Sequence, residues 1–116
     1  MYSVIYLYPV PKQSKEEFVK INKKAGRIYK EYGAIEDDTF QGTLIAPMNG
    51  CEGMQTSVDL HENETVMLSI STFKSKSHHD IVMESVDSDK RIIDLYNKMI
   101  KIIDISRVVR GEFEKV

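Results

Sequence analysis

Cysteine occurs once in the 116 residues, at Cys51, and tryptophan not at all. A lone thiol excludes an intramolecular disulfide and any thiolate metal cage, and it fits a reducing, cytoplasmic setting. Neither sign of charge dominates: 16 basic residues against 18 acidic ones leave a formal net charge of -2, too little to attract nucleic acid or an anionic membrane over a broad surface. Long apolar runs are missing too. The stretch from Tyr2 to Val10 is too short to span a bilayer, carries no basic leader and runs at once into Pro11 and a charged segment, so neither a membrane anchor nor an export signal is expected. No phosphate-binding glycine loop, metal-ligand cluster or nucleophile motif occurs, and no metal or cofactor is implied.

What is present is an ordinary globular composition, 41% hydrophobic and 29% charged, in a length that suits one domain over residues 1–116 and buries roughly two-thirds of the unfolded surface. Tyr2, Val4, Tyr6 and Tyr8 alternate with Ser3, Ile5, Leu7 and Pro9, which predicts a strand apolar on both faces and ended by Pro9-Val10-Pro11. Ser14 and Glu17 have capping-box spacing, and Phe18, Ile21, Ala25, Ile28, Tyr29 and Tyr32 then recur at helical intervals until Gly33 stops the helix. Gly26, inside that helix, points to close packing on the sheet. Residues 34–45 read as a second strand. Residues 46–63 read as a loop, with a short edge strand over Thr56 to Leu60 as the alternative. Thr65 to Phe73 is a clear strand, with Val66, Leu68, Ile70 and Thr72 on one face and Met67, Ser69, Ser71 and Phe73 on the other. A second helical region, capped at Ser75 or Ser77, is broken by Asp87-Ser88-Asp89 into two pieces. A last strand is expected over residues 105–115.

Strand, helix, strand, strand, helix, strand is the order of a ferredoxin-like α+β fold, βαββαβ, with a four-stranded antiparallel sheet and its helices on one face. The other face also carries apolar residues. It therefore calls for a cover, and a second copy of the chain is the expected one.

Tyr2 to Lys12 (YSVIYLYPVPK), Glu31 to Glu36 (EYGAIE), Asp59 to Ser69 (DLHENETVMLS), Ser75 to Asp80 (SKSHHD) and Arg107 to Glu114 (RVVRGEFE) together resemble the uncharacterised bacterial DUF1428 family over nearly the whole chain. That family is similar to the dimeric α+β-barrel proteins, which include cofactor-free monooxygenases of antibiotic biosynthesis, haem-degrading enzymes and stress-response barrels. The resemblance implies the fold and a homodimer but carries no activity with it. The chain departs from the family pattern at Tyr29, Ile70 and Lys90, and without tryptophan the constellation of the haem-degrading relatives is absent.

His78-His79-Asp80 stands at a predicted helix start, where a neutral imidazole is favoured as a base. Adjacent helical residues point about 100° apart, so the two histidines do not share a metal. His78, included in the resemblance, is the catalytic candidate; capping and surface placement is the alternative. Glu36 is the second, as a general base if it faces a cavity between helices and sheet; an ion pair with Arg107 or Arg110 is its alternative. Tyr6, Tyr8, Phe73 and Arg107 are candidates to line an apolar pocket for a small apolar or aromatic ligand, a role that core or interface packing would also explain. Cys51, with no histidine near it in sequence, is not a nucleophile candidate. The lysines of the first helix read as a solvated face. Two functions follow as expectations: a homodimer binding a small molecule, with cofactor-free oxygenase- or isomerase-type chemistry at His78 or Glu36 and Tyr6 orienting, or a non-enzymatic dimeric interaction or stress-response module. Nucleic acid and membrane are not expected partners.

Overall fold

The longest pairing in the sheet joins the start of the chain to its middle. A computed structural model describes residues 1–116 as β1 (Tyr2–Pro11), α1 (Lys15–Glu31), β2 (Glu36–Gln41), the single turn α2 (Met54–Ser57), β3 (Glu64–Phe73), α3 (Lys76–Asp87), α4 (Lys90–Met99) and β4 (Val109–Glu114). The sheet has the order β2-β3-β1-β4 and is antiparallel throughout. All ten residues of β1 pair with β3, from Tyr2 opposite Phe73 to Pro11 opposite Glu64.

Pro9 does not end β1, contrary to the sequence expectation. The Lys12 N–H donates to the Asn63 carbonyl on the β3 side at 2.9 Å, so by alternation the nitrogens of Pro9 and Pro11 face the other edge. There β4 has already stopped, its last pair being Leu7 with Val109, and no ladder bond is lost. Other boundaries also differ. The second strand covers only Glu36–Gln41, and the last begins at Val109 after a 3-10 turn over Ile105–Arg107. Thr56 to Leu60 is not an edge strand; the helical turn Met54–Ser57 occupies its beginning. Ser14 stands at the start of α1 but its side chain makes no capping bond. The second helical region is in two pieces, with Ser75 accepting from the His78 N–H and Asp89 from the Arg91 N–H.

Even-numbered residues of β1 and odd-numbered residues of β3 face the helices. Phe18, fully buried, gathers Tyr8, Val10, Ile21, Met67, Leu95 and Met99 at one end of the layer, and Phe73 gathers Tyr2, Val4, Val82 and Val86 at the other. The opposite face carries Ile5, Leu7, Leu68 and Ile70 at its centre, all partly exposed, with Phe40 49% and Phe113 58% exposed towards its edges.

Arg107 ties the 42–63 connection to the C-terminal segment. Its guanidinium donates to both Glu64 oxygens at 2.8 and 2.6 Å and to the Asp59 carbonyl at 2.9 Å, with Asp104 3.4 Å away. The fork of bonds from Arg107 holds the Glu64 carboxyl below its usual range. A group so depressed stabilises the fold above its unfolded value, near 4.5, and loses that contribution as pH falls through the folded value. Arg107→Ala is expected to lower stability by roughly 2 kcal/mol at pH 7, between the values for exposed and buried pairs, and less as the pH approaches 3. Urea melts at the two pH values measure this; equal losses at both would contradict the pairing.

Candidate functional site

Between sheet and helices lies a cavity of about 180 Å3. It exists because the chain places short side chains where the two layers meet. Ser69 and Ser71 of β3 form its floor beside Tyr6 and Tyr8 of β1, while Ala25 and Gly26 of α1 keep the roof thin and α4 closes it with Ile92, Leu95 and Met99. The Tyr6 and Tyr8 rings are nearly parallel, 5.7 Å apart, and Tyr8 meets Phe18 edge-on at 4.9 Å. The lining is thus mostly apolar and aromatic, with a few polar groups aimed inward, the usual make-up of a small-molecule site.

The carboxylate of the cavity is Asp37. In the β2–β3 register Asp37 stands opposite Ser71, on the helix side, and Ser71 Oγ donates to its Oδ2 at 2.5 Å. Gly26 passes directly above: a Cβ at that position would lie 2.2 Å from Asp37 Oδ1, so only glycine leaves room for the carboxylate beneath α1. Burial pushes the Asp37 carboxyl above its ordinary range, and the Ser71 bond offsets part of that rise. Tyr8 Oη is 3.3 Å from Ser69 Oγ, and desolvation raises the Tyr8 phenol strongly. Tyr29, reaching in from α1, is raised by burial as well, and its hydroxyl has no hydrogen-bond partner. The cavity therefore offers a proton acceptor that holds its proton unusually well and phenols that remain neutral donors.

Glu36 is corrected by this geometry. One residue from Asp37, it points to the helix-free side and is exposed, so it neither faces the cavity nor pairs with an arginine: Arg107 pairs with Glu64 and Arg110 with Glu112. Arg107 lies away from the cavity, among Val58, Asp59, Glu64 and Asp104. Phe73 is fully buried in the core rather than lining the site. His78 accepts at Nδ1 from the Lys74 N–H at 3.0 Å and stands beside Phe73 and Gly33, outside the cavity. His79 is the more buried of the pair, its Nδ1 2.9 Å from Asp80 and its ring against Phe73 and Tyr2. Tyr6 and Tyr8 do line the cavity. Asp37 and Tyr29 line the cavity and were not among the residues expected from the sequence; Gly26, an interior helix glycine with a tyrosine three residues on, signals a close approach of helix to sheet but not which acid lies beneath it.

The comparisons with known proteins agree with the architecture. A family model described as "Protein of unknown function (DUF1428)" matches residues 1–102. The uncharacterised protein YbaA of Escherichia coli K12 is 25% identical over 111 residues, covering 96% of this chain and 92% of its own. Among solved structures, an Agrobacterium tumefaciens protein aligns with a TM-score of 0.63 at 15% identity, covering all of this chain and 94% of that one. An uncharacterised NIPSNAP-domain protein of Burkholderia xenovorans gives 0.63 at 12% identity over 100% and 95%, and a protein described as an antibiotic biosynthesis monooxygenase gives 0.62 at 9% over 100% and 99%. At such identities the structural likeness establishes the fold alone.

The raised Asp37 makes stability depend on pH in a stated direction. The folded state keeps this proton to higher pH than the unfolded chain does, so the contribution is complete below the ordinary value of 3.8 and is lost as pH rises through the folded value. Asp37→Asn retains the acceptor for Ser71 and removes the buried charge. Its melting temperature relative to the parent is expected to rise as pH climbs above the ordinary value of 3.8 and to level off once the folded carboxyl has ionised; parallel profiles would show that Asp37 is not desolvated.

Proposed function

The chain belongs to the DUF1428 family, whose description assigns no activity, and from that footing we propose that it is a homodimer, each subunit of which binds a small aromatic molecule between sheet and helices and moves a proton on it with Asp37 as the general base. The observation that carries this reading is the half-buried Asp37 carboxylate at one side of a mostly apolar cavity. A cavity of about 150 Å3 accepts benzene, so the space suits one ring with a short substituent. The proton acceptor has a pKa moved towards neutrality, which strengthens it as a base. Tyr29, whose hydroxyl is unengaged, is placed to donate to a carbonyl or phenolate oxygen as charge develops there. Together they suit tautomerisation: Asp37 takes a proton from a carbon next to a carbonyl, the electrons move onto the oxygen, and the proton returns to another atom of the same molecule. No oxidant or cofactor enters that balance. The cavity's unfilled volume favours this reading over a module whose interior is closed by its own side chains. No helix is long and apolar enough to cross a membrane, and a cytoplasmic location accords with the single cysteine, exposed Cys51.

The homodimer rests on the helix-free face. Ile5, Leu7, Leu68 and Ile70 form a contiguous apolar centre in the sheet register, with Phe40 and Phe113 exposed on either side. A patch of this kind on one side of a sheet marks an interface, and a two-fold axis lets the same patch cover itself.

Phenylacetone, a neutral single-ring ketone with acidic benzylic hydrogens, tests the chemistry. In deuterium oxide the wild-type protein is expected to accelerate benzylic exchange, read by proton NMR, and Asp37→Asn to slow it at least 100-fold, the lower bound for a general base. Exchange at the buffer rate, or equal exchange in both proteins, would remove Asp37 from this role. For assembly, light scattering is expected to give twice the chain mass for the parent and the single mass for Leu68→Glu, which sets a charge in the centre of the apolar face; a monomeric parent would defeat the dimer.

A further inference from the structure

Arg110, half exposed and paired with Glu112, stands just outside the cavity lining but is bonded to one of its residues, Tyr6, and this bears on what the cavity binds. Across the helix side of the sheet the register aligns Thr39, Ser69, Tyr6 and Arg110 in one row, and Asp37, Ser71, Val4 and Glu112 in the next. Asp37 therefore belongs to the β2 edge and Arg110 to the β4 edge, three strand spacings or about 14 Å apart at the backbone. The lining runs between them, from Asp37 past Ser69, Ser71, Tyr6 and Tyr8 to Tyr96 and Ile105. Arg110 Nε donates to Tyr6 Oη at 3.2 Å, and the guanidinium carbon lies 5.4 Å from the Tyr6 ring centre. Arg110 Nη2 donates to Glu112 Oε2 at 2.8 Å, while the other Glu112 oxygen accepts from the Tyr2 hydroxyl. Glu112 thus has one partner on each oxygen, and bonding to Tyr2 and Arg110 holds it below its usual range. Two donors are left over at this end. Arg110 Nη1 has no partner, and the Tyr6 hydroxyl, which accepts from Arg110, keeps its own hydrogen free to donate.

Resting on the reading of the cavity as a small-molecule site, we infer that its ligands are small aromatic carboxylates, held with the carboxylate on Arg110 and Tyr6 and the rest of the molecule directed towards Asp37. A guanidinium edge beside a phenol is a strong partner for a planar anion, because both carboxylate oxygens meet charge-assisted or neutral donors at once. The reverse orientation is disfavoured, since it would set a carboxylate against Asp37 in a poorly hydrated space. The aromatic ring then lies over Tyr6 and Tyr8 and beneath Ile92, Leu95 and Met99, where the lining is apolar. Arg110 so fixes orientation and selects charge, while Asp37 acts at the far end.

Benzoate and benzyl alcohol, alike in size and different in charge, test this by NMR titration of the isotope-labelled full chain. Benzoate is expected to bind about tenfold more tightly than benzyl alcohol, the scale of one charge-assisted contact. Arg110→Gln, whose fold is checked by its amide spectrum, is expected to bring the two affinities within about twofold. Arg110→Lys, which keeps the charge and loses the fork, is expected to retain part of the preference. In 1 M salt the wild-type preference is expected to shrink, as screening requires. Benzyl alcohol binding as well as or better than benzoate overturns the inference and leaves the cavity reading standing. A benzoate preference that survives Arg110→Gln also overturns it. Failure of both compounds to shift any cavity resonance at millimolar concentration removes the cavity reading and the inference with it.

Discussion

The constraint on which the rest depends is the ten-residue antiparallel register between β1 and β3. Side chains alternate with a period of two, so this single pairing sends Tyr2, Val4, Tyr6, Tyr8 and Val10 to the helices together with Met67, Ser69, Ser71 and Phe73. The same alternation leaves Ile5, Leu7, Leu68 and Ile70 on the other side. Slipping it by one residue would exchange the two faces and bury the wrong set. β2 and β4 inherit their facing from this pair, β2 through β3 and β4 through β1.

The cavity follows from a second, local choice of residue size. Ser69 and Ser71 occupy sheet positions between the larger Met67 and Phe73, and Ala25 and Gly26 occupy the helix positions above. Large residues at each end fill the layer to normal density, as the fully buried Phe18 and Phe73 do, whereas small ones in the middle leave space. Three of the polar groups there are held, Asp37 by Ser71, Tyr8 by Ser69 and Tyr6 by Arg110, while the Tyr29 hydroxyl is left free. Burying a carboxylate is unfavourable. Its retention beside an interior helix glycine, itself unfavourable by about 1 kcal/mol against alanine, sets two local penalties at one place, a pattern more typical of a site than of a core built for stability.

Away from the cavity the charged residues do structural work. Arg107 fastens the connection before β3 to the turn before β4, and Arg91 bridges Asp89 at the start of α4 and Glu31 at the end of α1. The exposed Arg91 group positions helices at little net energy, since surface pairs are well screened. The Arg107 group, less exposed and doubly bonded to Glu64, contributes more. Both histidines that stand out in the sequence belong to this scaffold: His78 receives the Lys74 N–H where β3 passes into α3, and His79 packs against Phe73 and Tyr2.

Element type and order were legible in the sequence because they depend on local periodicity: alternation in Tyr2 to Tyr8 and Thr65 to Phe73, helical spacing from Phe18 to Tyr32, and the break at Asp87-Ser88-Asp89 all sit within a few residues. The two sides of β3 were legible for the same reason. Boundaries were less so, since Pro9 is excluded from a paired strand only where its nitrogen faces a neighbour, and β4 ends before reaching it. The site was legible in part. Tyr6 and Tyr8 follow from β1 itself, but whether Glu36 or Asp37 enters the cavity depends on how β2 pairs with β3 across an intervening connection of more than twenty residues. No local pattern in Glu36-Asp37-Asp38 carries that information, since all three residues are acidic. Sequence alone determined that this chain forms a βαββαβ sheet-and-helix layer; the tertiary register alone decided which acid lies inside it, because a strand's facing is set by its hydrogen-bonded partner and not by its own composition.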